Sequence, residues 1–193
     1  MRRKLAALAA VGIMVLTPGS AATSSAAMSD RQARAPLDVH LHEISVSFGT
    51  LVQEYIEIAN RGFVAVDIGN SAVLVSVGPR IFQLARIPVG TFLEPHQVFL
   101  LAKVGSVLLA DLFYDSPWDL PNRHLGVALV GPDGDIEDSM ATMGSIGPVV
   151  EPNSFLRGRP APEPKRGLCL NRVKFTDDNS QDWVNKVCTP GSY

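Results

Sequence analysis

The chain has 193 residues, with 17 Lys and Arg against 19 Asp and Glu, a formal net charge of −2. Without the three basic residues at positions 2–4 the balance is 14 against 19, a net charge of about −5. That balance argues against a protein whose whole surface grips nucleic acid.

The first residues read as a secretory signal peptide over 1–27. Arg2, Arg3 and Lys4 form a positive start, and Leu5 to Leu16 is an apolar stretch of 12 residues, well short of the roughly 20 that a spanning helix needs. Small residues at Ser20-Ala21-Ala22 and Ser25-Ala26-Ala27 fit cleavage after Ala22 or Ala27. The second site leaves 166 residues, enough for one domain with a real core. The absence of Cys near the cleavage region argues against a lipid anchor. No later stretch is a membrane span: Leu93 to Leu112 carries Glu94, Pro95, His96, Lys103 and Asp111. Residues 28–36 are small, polar and charged and read as a flexible linker.

From Leu37 to Tyr193 the chain reads as one domain of short β-type runs. Val39 to Ile44 is the first. In the next, Val52, Ile56 and Ile58 line one face of a strand while Tyr55 and Glu57 point the other way. Asn60-Arg61-Gly62 supplies turn chemistry, and Val64 to Ile68 resumes the alternation. Val73–Val77 ends at Gly78-Pro79. Ile81–Leu84, Val98–Ala102 and Leu125–Val130 follow, and Gly131-Pro132-Asp133-Gly134 turns the chain into Ile136–Met140. The spacing predicts one helical turn within Val104–Phe113. Repeated short strands with Gly/Pro turns point to a sandwich or barrel, not to βαβ units.

These runs resemble the lamin-tail domain. Glu54-Tyr55-Ile56-Glu57-Ile58-Ala59-Asn60 is similar to that family's core strand. Leu93-Glu94-Pro95-His96-Gln97-Val98 is similar to its turn, with His96 where Gly is usual. Asn122 with Gly126–Leu129, Asp133-Gly134 with Ile136–Ser139, and Ser154–Arg157 match in order. Thr176–Trp183 followed by Thr189-Pro190-Gly191 is similar to the family's close. The resemblance implies an all-β, immunoglobulin-like β-sandwich and a non-catalytic interaction module. In bacteria such domains accompany secreted hydrolases or sit at the envelope. Two departures stand out. The Trp usual after the Val64–Ile68 region is replaced by Ser71-Ala72, which leaves Trp118 or Phe82 to fill the core. Phe113–Arg123 and Pro148–Arg166 read as insertions, the places where specific binding tends to sit.

Cys169 and Cys188 are the only cysteines. In an exported chain they read as a disulfide, closing a loop of about 20 residues and stabilising by roughly 3 kcal/mol. His40 and His42 share a strand face and, with Asp38, could bind a metal, but no further ligand is visible. The plainer reading has them on an exposed outer face, with Val39, Leu41 and Glu43 turned inward. Asp133, Asp135, Glu137 and Asp138 read as a solvated turn. Asp177, Asp178 and Asp182 are weak calcium candidates beside Asn179. Ser145 lacks a nucleophile elbow, and no Ser-His-Asp or phosphate-loop pattern is specified. The expectation is therefore no enzyme, no cofactor and no firm metal site.

Arg157-Gly158-Arg159-Pro160-Ala161-Pro162-Glu163-Pro164-Lys165-Arg166 is a basic, polyproline-like arm, followed by Arg172 and Lys174. These six cations are the anion-binding candidates. The expected role is a secreted module that binds a protein or an envelope component. The alternative is a polyanion-binding accessory, to nucleic acid or a wall polymer, for a secreted nuclease or hydrolase.

Overall fold

The computed structural model describes residues 38–49, 53–77, 80–106, 109–145 and 155–193. The leader at 1–27, the linker at 28–36, Leu37, Val52, Gly78-Pro79 and the part of the second insertion before Phe155 lie outside the described residues.

The strands are β1 (Val39–Ser45), β2 (Tyr55–Asn60), β3 (Val66–Asp67), β4 (Ala72–Val77), β5 (Arg80–Arg86), β6 (Phe92–Leu93), β7 (Val98–Lys103), β8 (Leu112–Tyr114), β9 (Leu125–Val130), β10 (Ile136–Ala141), β11 (Cys169–Arg172) and β12 (Trp183–Lys186), with one helical turn, α1 (Asn179–Asp182), just before β12. They form an all-β sandwich. One sheet runs β12-β11-β1-β2-β7-β8 and the other β10-β9-β4-β5, while β3 and β6 make a separate two-stranded ribbon. Pairing is antiparallel except between β7 and β8. The Cys169–Cys188 disulfide ties the start of β11 to the segment just past β12.

Period-two alternation builds the two inner faces. Leu41 and Ile44 of β1 and Ile56 and Ile58 of β2 meet Val73 and Val75 of β4, Val127 and Leu129 of β9 and Met140 of β10 in one buried cluster. The tryptophan of that cluster is Trp183, 1% exposed, on β12. Trp118 is 50% exposed and packs against Phe82 at the surface, 4.5 Å between ring centroids. The core position left open by Ser71-Ala72 is thus not filled by Trp118. Residues 104–106 form a turn, and the chain re-enters the sheet as β8, so the described part of Val104–Phe113 carries no helix.

Each sheet also has its outer face partly roofed by irregular chain. On the four-stranded sheet, Gly126, Ala128 and Ala141 leave a recess that Phe155 fills. A Cβ on Gly126 would come within 2.3 Å of Ser76 Oγ and 3.1 Å of Phe155 Cδ2, so the close approach requires glycine there. Phe155→Ala is expected to lower unfolding stability by about 3–5 kcal/mol, the usual cost of emptying a buried aromatic site, read from the urea midpoint by near-UV circular dichroism.

Candidate functional site

The outer face of the six-stranded sheet is built on a β-bulge. Leu41 pairs with Ile58 and Ile44 with Ile56, so two residues of β1, His42 and Glu43, oppose Glu57 alone. The bulge turns Glu43 outward, correcting the expectation that it faces the core. Glu43, Tyr55 and Glu57 are nonetheless fully buried, because segment 187–193 lies over them. The Tyr55 hydroxyl donates to Glu43 Oε1. Thr189 N donates to Glu43 Oε1 at 2.9 Å and Thr189 Oγ1 to Oε2 at 2.9 Å, while Gly191 N donates to Glu57 Oε1 at 2.6 Å. Glu57 Oε2 has no hydrogen-bond partner among the described residues. Burial pushes the Glu57 carboxyl up to about 8, with Glu43 adding to the rise and the Gly191 N–H opposing it.

The rest of the Glu54–Asn60 motif is equally internal. Glu54 accepts from Tyr114 Oη at 2.6 Å and Leu120 N at 2.9 Å, fastening the first insertion to the sheet edge. Burial raises its carboxyl above the ordinary range. Asn60 Nδ2 donates to Val64 O at 2.8 Å and Leu93 O at 2.9 Å, and its Oδ1 accepts from Gly62 N at 2.8 Å. It therefore holds the turn leading into β3 against the strand end of β6.

The basic residues do not converge on one surface. Arg172 has a side chain only 4% exposed, clamped between Asp138 and Asp182, with Nη2 3.4 Å from Asp182. It is unavailable to an outside anion. Arg157 Nε donates to Ser139 Oγ at 3.2 Å, and Arg166 Nη2 to Phe48 O at 3.2 Å. Arg159 reaches Asp178 Oδ2 through Nε and Nη2, both at 3.1 Å. Among the described residues, Lys165 and Lys174 make no side-chain ion pair. The proline arm, with Arg123, His124 and Phe48, lines an open groove of about 880 Å³.

The acidic candidates are committed to internal donors as well. Asp178 caps α1, accepting from Ser180 N at 3.1 Å, Ser180 Oγ at 2.6 Å and Gln181 Nε2 at 3.0 Å. Those bonds, with Arg159, hold its carboxyl below the ordinary range. Asp182 accepts from Thr176 N and Oγ1, each at 2.8 Å. Asp177 sits beside them in a left-handed turn (φ 56°). Asp138 leaves the Asp133 turn and points inward, accepting from Leu41 N at 2.8 Å as well as from Arg172. No group of three or more His, Cys, Asp or Glu side chains is arranged to hold a metal among the described residues.

His40 also departs from expectation. It is buried, edge-on to Phe175 at 4.7 Å and to His42 at 5.8 Å. Burial, then the charge of Arg172, lowers its imidazole to about 3, so it stays neutral. The rings continue outward: His42 stacks on Tyr193 at 5.3 Å, Tyr193 meets His96 at 5.4 Å, and His96 meets Phe63 at 5.9 Å. His96 holds a left-handed backbone (φ 60°), a conformation that favours glycine. Phe63 is 88% exposed, and Val64 and Val89 in the chain flanking the β3–β6 ribbon and Phe92 of β6 are exposed too. Strand periodicity gave no hint of this ribbon, since its exposed apolar residues read as ordinary strand alternation.

No family model and no curated protein matches the chain. No helix among the described residues is long and apolar enough to cross a membrane.

Glu57 predicts a pH dependence. Its folded carboxyl titrates near 8 against an ordinary 4.5, so its stabilising contribution is complete below about 4.5 and is lost as pH rises through 8. Thermal melts from pH 5 to 9 are expected to show wild-type stability falling relative to Glu57→Gln over that window; parallel curves would contradict the assignment. Arg172→Met leaves Asp138 and Asp182 buried without their cation and is expected to cost about 3–5 kcal/mol at neutral pH. Urea titration checks this, and the deficit should shrink in acid as Asp138, whose carboxyl burial already raises, protonates.

Proposed function

We propose that this chain is an exported, non-catalytic lamin-tail-like module that binds a protein or envelope component. The observation that carries this reading is the chain in and around the β3–β6 ribbon, where Phe63, Val64, Val89 and Phe92 are each exposed on a domain whose signature polar residues are engaged internally. Contiguous exposed apolar surface marks interaction sites, and these four side chains are its candidates here. The immunoglobulin-like sandwich implied by the resemblance is in keeping with the two packed sheets. Export is supported by the basic-apolar-small order of residues 1–27 and by a disulfide, which suits an oxidising compartment.

A second reading, a polyanion-binding accessory, is favoured by the groove beside the proline arm. Arg159 is 72% exposed there despite its bond to Asp178, Arg123 faces it, and Lys165 extends from the same arm. The two readings predict different salt responses. The purified domain, used as bait on envelope and medium, is expected to retain a protein partner through high salt and to lose it when Phe63→Ser and Phe92→Ser are combined. Release of nucleic acid or wall polymer at modest salt, unaffected by those substitutions but abolished by Arg123→Gln with Arg159→Gln, would establish the second reading instead.

A further inference from the structure

Segment 187–193 covers the outer face of the six-stranded sheet with very little burial of its own. Apart from the half-buried Cys188, its residues are exposed. What holds it is specific. The Cys169–Cys188 bond fixes one end. Three hydrogen bonds to Glu43 and Glu57 fix the middle, and the stack of Tyr193 on His42 fixes the far end. Beneath it lie Tyr55, Leu100 and Ala102, all buried.

The disulfide is placed outside the sheet ladder. The last pair of β11 and β12 is Cys169 with Lys186, so Cys188 lies beyond it. Opening the bond leaves the four pairs from Arg172–Trp183 to Cys169–Lys186 intact. A released thiol at Cys169 also has a place to go, since Tyr55 Oη stands 3.5 Å from its sulfur and can accept the S–H. Without the covalent tie, ordering an exposed six-residue segment rests on the three hydrogen bonds to Glu43 and Glu57, one between His42 and the Ser192 backbone, and the ring contacts of Tyr193 with His42 and His96, set against the conformational entropy that six residues regain on release.

We propose that residues 188–193 are a redox-latched strap, and that a dithiol reductant releases it to uncover the Glu43–Tyr55–Glu57 face while the sandwich stays folded. One thiolate of the reductant attacks the more accessible Cys188 sulfur. The S–S bond breaks, and Cys169 leaves and takes up a proton as a buried thiol. The second thiol of the reductant then displaces Cys188 and closes the reductant to its own disulfide. Two electrons and two protons pass from the dithiol to the cysteine pair.

Hydrogen exchange on the full chain, with and without dithiothreitol, tests this. In the reduced protein the amides of Thr189 and Gly191 are expected to exchange at least tenfold faster, while those of β1 and β2 keep their protection. Native alkylation should label Cys188 more than tenfold faster than Cys169. Cys188→Ser should reproduce the fast exchange at 189 and 191 without any reductant. Unchanged exchange at those two positions in both the reduced chain and the variant would overturn the proposal, since Glu43 and Glu57 would then hold the strap alone. Loss of protection across β1 and β2 on reduction would overturn it as well, making the bond a support of the fold and not a latch.

Discussion

Glu43, Glu54, Glu57 and Asn60 are all removed from solvent on or beside β1 and β2, and a buried carboxylate or amide is tolerated only if donors and acceptors surround it. The irregular parts of the domain supply them. The backbone of Thr189 and Gly191 answers Glu43 and Glu57, Tyr114 and Leu120 answer Glu54, and the Val64, Leu93 and Gly62 backbone answers Asn60. The placement of the strap, of the first insertion and of the β3–β6 ribbon follows from these few side chains more than from apolar packing.

A second constraint joins the two sheets. Asp138 belongs to the four-stranded sheet, yet it accepts from Leu41 N of β1, next to the bulge, and from Arg172 of β11. Arg172 in turn reaches Asp182 of α1, and its guanidinium lies over the rings of Phe175 and Trp183. A single cation thus connects both sheets, the helical turn and the core tryptophan. Its burial explains why a sequence with a cluster of basic residues does not fold into a uniformly basic surface, and why what remains exposed is an apolar ribbon at one place and a mixed groove at another.

Much of the architecture was legible from period-two alternation, because inward and outward side chains of a half-buried strand must differ in polarity. The strand runs at 39–44, 73–77, 98–102, 125–130 and 136–140 lie within or across observed strands. The disulfide was expected from two cysteines and a leader-like start. The site residues were less legible. Tyr55 and Glu57 read as pointing away from the apolar face, and alternation carries no information about a distant segment that covers them. Glu43 read as inward because a bulge shifts register by one residue without leaving a mark in composition. Trp118 read as a core candidate and Trp183 did not, because composition does not say which tryptophan the sheets enclose.

The sequence by itself determined the all-β class, the hairpin at 125–141 and the cysteine pair, since each depends on local periodicity, turn chemistry or a count. Only the tertiary structure decided which charges are available. Arg172 and the Asp177–Asp182 cluster differ from ordinary surface charges solely in what the fold brings against them. The same holds for the chain of rings from Phe175 to Phe63, assembled from six positions between 40 and 193. Their function as a surface, or as the ground on which a strap rests, comes from contacts between residues far apart in the chain, and those contacts are a property of packing that no local pattern encodes.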